Sequence, residues 1–137
     1  MEIDSTYELI HPVAVEDLAK SLTSDPGDDF PEVFATSRMV AVMELAAARL
    51  MQPLLTEGQL SVGVDVHVTH MAPTPGGEEV RVIARFKGRE DKLYLFEVEL
   101  HDRGGLAGKG THSRAVVVTE RLVRGAELRI RRGQSRM

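Results

Sequence analysis

The chain contains no cysteine and no tryptophan. Without thiols there is no disulfide, no thiolate nucleophile and no zinc–thiolate site. Aromatic residues make up only 4% of it, too few for the stacking platforms on which single-strand nucleic-acid binders rely. A formal charge of -4 gives the protein body no electrostatic reason to bind nucleic acid either. No apolar run reaches the roughly 18 residues that a transmembrane helix needs. The acidic start, Met1-Glu2-Ile3-Asp4, lacks the basic and apolar regions of a secretory signal. A cytoplasmic protein that makes no contact with membrane or nucleic acid is therefore expected. There is also no glycine-rich phosphate loop after a strand, no Gly-x-Ser-x-Gly elbow and no close helical pair of histidines, so neither a cofactor nor a metal is expected.

What is present suits one soluble domain spanning residues 1–137, with 42% hydrophobic residues and 28% charged ones. Residues 5–11 read as a short strand ending in a turn at Pro12, and residues 15–22 carry weak helical spacing. Ser24-Asp25-Pro26-Gly27-Asp28-Asp29 has the composition of a loop. Pro31 suits a first helical position, and the apolar pattern predicts a long helix from there to about Met51 or Leu55, closed by Pro53 and Gly58. Four strands follow at Leu60–Met71, Glu78–Lys87, Leu93–His101 and Leu106–Glu120, separated by turn-rich segments. One apolar helix followed by an antiparallel meander is an α+β pattern. A curled antiparallel sheet wrapped around one long helix is the hotdog fold, and its open edges make dimerisation by strand pairing reasonable. From Arg121 the chain turns basic, with Arg124, Arg129, Arg131, Arg132 and Arg136. Two readings stand open for this segment: a frayed, solvated tail, or attraction of the phosphates of a nucleotide-bearing ligand.

Within the helix, Met39-Val40-Ala41-Val42-Met43-Glu44-Leu45-Ala46-Ala47-Ala48 is apolar on every side except at Glu44. A buried carboxylate needs a specific partner to replace its lost hydration. Arg49 is one candidate, and exposure at a dimer interface is the alternative. In the strand at 60–70 the even positions are apolar, so alternation places His70 with Val64, Val66 and Val68 on the core face. His67, on the other parity, is expected outside, and His101 and His112 receive no role. Thr36 lies eight residues before Glu44, which separates them by about 80° around the helix and two turns along it. Hydroxyl, carboxylate and imidazole can act together. The imidazole moves a proton near neutral pH, the carboxylate orients it or activates water, and the hydroxyl attacks a carbonyl or donates to an oxyanion. Each also has a plain structural reading: Thr36 as a local cap, Glu44 as an ion-pair partner, His70 as a hydrogen-bonded strand-end histidine.

Three separated motifs carry a family resemblance. Phe30-Pro31-Glu32-Val33-Phe34-Ala35-Thr36 followed by Met39-Val40-x-x-Met43-Glu44 resembles the helix entry of the fluoroacetyl-CoA thioesterase family. Val68-Thr69-His70-x-Ala72-x-Thr74-Pro75 resembles its histidine strand, and Gly108-x-Gly110-Thr111-His112-x-Arg114-Ala115-Val116 its last strand. The match is colinear over about residues 28–125. It implies a homodimeric hotdog thioesterase that hydrolyses short acyl-CoA esters without a cofactor. The resemblance places the family's catalytic residues on Thr36, Glu44 and His70. Its substrate-contacting glycine and arginine fall on Gly63 and Arg114, and its aromatic lid on Phe30. For Arg114 an ion pair with a carboxylate is as good a reading as substrate contact. Ser37-Arg38 stands where the fluoroacetyl-specific enzyme has a glycine and an aromatic, Leu45 stands in place of Trp, and Pro26-Gly27-Asp28-Asp29 lacks a second lid aromatic. The resemblance thus carries thioester hydrolysis further than it carries fluoroacetyl specificity. The rival readings are a non-catalytic acyl-CoA-binding or ligand-sensing hotdog module and, more remotely, a hydroxyacyl-CoA dehydratase. The module needs no polar trio. The dehydratase would want Asp65 and His70 together, and strand parity sets them on opposite faces.

Overall fold

The computed structural model describes residues 1–135, with side chains through Gln134; Arg136 of the basic segment lies outside the described residues. Strand β1 (Thr6–Pro12) is followed by two short 3-10 turns, helix α1 (Thr36–Met51), strands β2 (Gln59–His70), β3 (Glu79–Glu90), β4 (Leu93–Asp102) and β5 (Gly105–Val118), and helix α2 (Thr119–Ser135). The strands form one antiparallel sheet in the order β1-β3-β4-β5-β2, leaving β1 and β2 as its edges. Pro12, expected at a turn, ends β1 inside the sheet, where an edge strand tolerates its missing N–H. The sheet curls around α1 without closing, in the hotdog arrangement.

The core is an interdigitation of small and flexible side chains. Met39, Val42, Met43, Ala46, Ala47 and Met51 line one face of α1 and pack on Val80, Val82, Ala84, Phe86, Phe96, Val98 and Leu100. Gly108 makes this close approach possible, because a Cβ there would meet Met39 Sδ at 2.5 Å. The opposite side of α1 is not covered by its own sheet. Ala41 is exposed, and Leu45 is 40% exposed although it sits in an apolar helix.

Three expectations need correction. First, α1 begins at Thr36 rather than at Pro31. The Phe34 N–H donates to Thr74 O and the Ala35 N–H to Asp17 O, while Val33 bridges to Pro75 and Phe34 to Leu18. A backbone committed to extended pairing cannot also coil, and Ala35 keeps an extended φ/ψ of -72/143 as the residue before the helix. Second, the alternation along β2 is broken by a bulge between Gly63 and Asp65. Val64 is the extra residue and is 52% exposed, so it does not share the face of Val66, Val68 and His70. Third, the basic segment is helical from Thr119 onward rather than a frayed tail.

Candidate active site

Two groups of polar side chains flank α1, one at its first turn and one at its middle. At the first turn, Thr36 Oγ1 and His70 Nδ1 are 2.9 Å apart. The helix supplies the hydroxyl and the last residue of β2 supplies the ring. A cavity of about 280 Å³ opens beside them, walled by Pro31, Val33, Phe34, Met71 and Ala72. His70 Nε2 is buried and has no hydrogen-bond partner. Burial pushes the His70 pKa below the ordinary histidine value, so the ring is neutral at pH 7 and able to accept a proton. Rate profiles should report this. The acid limb of kcat/KM should have its midpoint below the ordinary histidine pKa of about 6.5. The sign for stability is the same. The unfolded chain binds the proton more readily, so the contribution of neutral His70 is lost as pH falls through that range. Urea titrations at pH 7 and pH 5 would check the second statement, and a pH series of initial rates the first.

The helix start is held from outside by Asp17, which is 1% exposed. Its carboxylate accepts from Arg38 Nε at 2.9 Å and from the Ala14 N–H at 2.9 Å, and lies 2.8 Å from His11 Nε2. Burial alone would raise its pKa; these hydrogen bonds outweigh that and hold it below the usual carboxylate value. The same residue's carbonyl takes the Ala35 N–H. Arg38, two positions after Thr36, thereby ties the first helical turn to the N-terminal segment.

The second group is organised by Arg114, which is 7% exposed. Its Nε donates to Ser61 Oγ and its Nη2 to Ser61 O, each at 3.0 Å, and its Nη1 lies 3.1 Å from His112 Nε2. Nη1 also faces Glu44 Oε1 at 3.5 Å, an ion pair long for a hydrogen bond. His112 Nδ1 is 2.8 Å from Asp65 O. A carbonyl only accepts and a guanidinium only donates, so His112 is the neutral ring with its proton on Nδ1. Burial first, and then the Arg114 charge, lowers its pKa against the opposing pull of the Asp65 carbonyl. Glu44 therefore pairs with Arg114 and not with Arg49. Nor is it sealed in apolar surroundings, since its side chain is 40% exposed at the margin between the covered and uncovered sides of α1. Its carboxylate occupies the space over Gly63 where a Cβ would stand.

The profile of the fluoroacetyl-CoA-specific thioesterase family matches residues 13–120. A fluoroacetyl-CoA thioesterase of Streptantibioticus cattleyicolor is 44% identical over 93 residues, 68% of this chain and 67% of that protein. The chain belongs to the fluoroacetyl-CoA-specific thioesterase family. Among solved structures, a phenylalanine-to-alanine variant of the fluoroacetyl-CoA-specific thioesterase FlK in complex with fluoroacetate and CoA superposes with a TM-score of 0.84 at 35% identity, covering 89% of this chain and 99% of that one. A thioesterase superfamily member from Thermus thermophilus superposes with a TM-score of 0.81 at 26% identity, covering 98% and 94%.

In this family member the site residues expected from sequence fall into two sets. Thr36 and His70 are brought into contact; Glu44, Gly63 and Arg114 are gathered some two helical turns away. Among the described residues no hydrogen bond or ion pair joins Glu44 to His70. Phe30 stands 44% exposed on the loop before the cavity. His112 and Ser61 are neighbours of Arg114 that sequence reading passed over. For His112 the available signal was parity: it alternates with Gly110, Arg114 and Val116, so it had to share Arg114's face. Among the described residues no group of three His, Asp or Glu side chains could hold a metal ion, and no helix is long and apolar enough to cross a membrane.

Gly63 offers a clean test of the second group. The atom most in the way of a new methyl is the end of a flexible glutamate, with His112 Cε1 next at 3.3 Å and needing to give by only tenths of an ångström, so Gly63→Ala should leave the fold standing, with a stability change within about 1 kcal/mol. Displacing the Glu44 carboxylate should cost at least ~10-fold in kcat/KM, since a misplacement on the order of 1 Å can cost more than that. Thermal melting read beside initial rates would separate the two effects.

Proposed function

We propose that the chain hydrolyses a short-chain acyl-CoA thioester as a homodimer, with each site shared between two protomers. Hydrolysis of an acyl-CoA thioester is the activity class that goes with the family. The observation that carries the residue assignment is the 2.9 Å contact between Thr36 Oγ1 and His70 Nδ1 at the mouth of a cavity. A neutral His70 takes the hydroxyl proton as Thr36 Oγ1 attacks the thioester carbonyl. The proton passes to the CoA sulfur as the C–S bond breaks, and water, activated by the same ring, then releases the acid from Thr36. Products are the carboxylic acid and free CoA.

The dimer is supported by an edge and a face. β2 is unpaired on one side, and the neighbouring surface of α1 around Leu45 is apolar and exposed. Antiparallel pairing of β2 with its copy, about a two-fold axis near the bulge, sets the His70 end of one strand beside the Gln59 end of the other. Glu44 and Arg114 of one protomer then approach Thr36 and His70 of its partner. In that setting Arg114, fixed by Ser61 and His112, faces developing oxyanion charge, the Gly63 backbone lines the substrate channel, Glu44 orients the partner's His70, and Phe30 covers the acyl group. We take the enzyme to act in the cytoplasm.

The test is a panel of acetyl-, fluoroacetyl- and longer acyl-CoA esters followed by free-thiol release, with the mass of the protein measured by light scattering. Turnover of a short ester by a dimer is expected. Tight binding of every ester with no thiol release would replace the enzyme by a binding module.

A further inference from the structure

Arg114 is braced by a side chain that has no part in the hydrolysis as written above. A buried planar guanidinium keeps one orientation only when acceptors meet it along more than one edge. Ser61 meets two of its donors, with Oγ on Nε and O on Nη2. On Nη1 the acceptor within ordinary hydrogen-bond distance is His112 Nε2 at 3.1 Å, since Glu44 Oε1 stands off at 3.5 Å.

His112 is itself held on several sides. It is 2% exposed, its Nδ1–H donates to Asp65 O, and the Phe96 ring packs on it with centroids 6.3 Å apart. Asp65 is where the β2 ladder resumes after the extra Val64, and Ser61 lies before that bulge. The series Asp65 O, His112, Arg114, Ser61 O therefore spans the bulge as a staple anchored on β5. One proton decides whether it holds. With Nε2 bare, the ring accepts from Arg114. With Nε2 protonated, one N–H would face another at 3.1 Å, and two cations would share a buried space. The charged groups facing the ring are Arg114 on its own strand, Glu44 from α1 and Asp65 from β2, while β4 contributes the uncharged Phe96. Burial and Arg114 oppose the proton, Glu44 and Asp65 favour it, and the balance leaves the ring neutral at pH 7.

We propose that His112 is a positioning residue for the hydrolysis: it aims the Arg114 guanidinium at the thioester carbonyl, and a proton on its Nε2 turns that guanidinium away. The inference rests on the role given to Arg114 under the proposed function. It adds a second imidazole that must stay neutral, His70 to carry the proton and His112 to keep the cation aimed. Its loss should lower kcat more than it raises KM, because an aimed cation matters most where charge develops.

Two measurements on the full-length protein test this, and the first needs no turnover. In proton–nitrogen correlation spectra at pH 7, the buried Arg114 Nε–H should give a slowly exchanging signal. That signal should fade along the titration of the His112 ring. In His112→Gln, whose amide oxygen can accept from Nη1 at any pH, it should persist at pH 5. A parent signal that outlasts protonation of His112 overturns the proposal, whatever Arg114 does for substrate. So does a ring that takes up no proton before the fold is lost. The second measurement is a pH series of rates on an ester that the parent turns over. On the acid side, log kcat/KM should fall with a slope of about two in the parent, one proton each on His70 and His112, and about one in His112→Gln. His112→Asn keeps a donor for Asp65 O but has no acceptor that reaches Nη1, so kcat should fall at least ~10-fold with KM within about twofold of the parent. His112→Gln should recover most of that loss. A parent slope of about one, with Arg114→Met inactive, leaves the role of Arg114 standing and ends the claim for His112. Parent-like rates in Arg114→Met end both.

Discussion

Replacing His70 by alanine should lower turnover of the best acyl-CoA ester at least ~100-fold, the low end of what loss of a positioned acid–base group costs. The expectation follows from what His70 touches. Thr36 Oγ1 lies 2.9 Å from Nδ1, and a threonine hydroxyl has no appreciable nucleophilicity at pH 7 without a base at that distance. Removing the ring also removes a buried nitrogen that has no partner in the protein, so the variant sheds an unsatisfied polar atom and folding should not suffer greatly. A drop in kcat with an unchanged urea midpoint and a near-unchanged KM is the expected pattern. His70→Gln, which can hydrogen-bond to Thr36 but cannot carry a proton at neutral pH, should be as inactive as alanine. Parent-like rates in both variants on every ester would remove the proposed chemistry.

Arg114 should give the largest combined loss. Arg114→Met keeps much of the volume and removes three anchored contacts, to Ser61 Oγ, Ser61 O and His112 Nε2, together with the ion pair to Glu44. Ser61 O and His112 Nε2 would be left inside without donors, which should cost about 2–4 kcal/mol of stability. The half-exposed Glu44 can rehydrate, so its share of that figure is small. Activity should fall by at least ~100-fold, because the cation proposed to face the carbonyl oxygen would be gone. Arg114→Lys tells charge from geometry. A lysine retains the positive charge but cannot hold Ser61 and His112 in one planar fork, so it should restore part of the stability and little of the rate. Urea denaturation and kcat/KM on the same preparations would read both.

Much of the architecture was legible because its signals are local. Alternation and turn residues placed β3, β4 and β5 within a few residues of their ends, and the apolar helix was evident from its composition. What escaped was decided by distant partners. Thr74 and Asp17 take the N–H groups of Phe34 and Ala35, and no pattern in 31–35 reveals that those groups are engaged. The bulge at Val64 adds one apolar residue to a run of alternating valines, where it looks like one more core position. For the site, Thr36 and His70 were singled out and do meet. Glu44 was singled out for its place in an apolar helix; of the two settings weighed for it, pairing with Arg49 gives way to Arg114, and its half-exposed carboxylate agrees with the other, since the helix side it borders is uncovered in one chain. His112 was given no role because it falls late along the chain's last strand; Gly108 and Gly110 beside it let β5 pass close to Met39 and to the backbone of β2. A helical stripe of Leu122, Ala126 and Ile130 was present in the basic segment and was masked by its arginines.

The bulge in β2 has a consequence for how the strand can change. Ser61 and Gly63, at odd positions, and Val66, Val68 and His70, at even ones, all point toward α1 only because one residue between them is counted out of the ladder. Pairing Val64 into the ladder would restore regular pleating and force the two halves out of phase, turning either the guanidinium anchor or the imidazole to the far side of the sheet. The strand behaves as two rulers joined by a one-residue spacer. A one-residue slip of register there would separate the two groups without any change in composition, length or hydrophobic content.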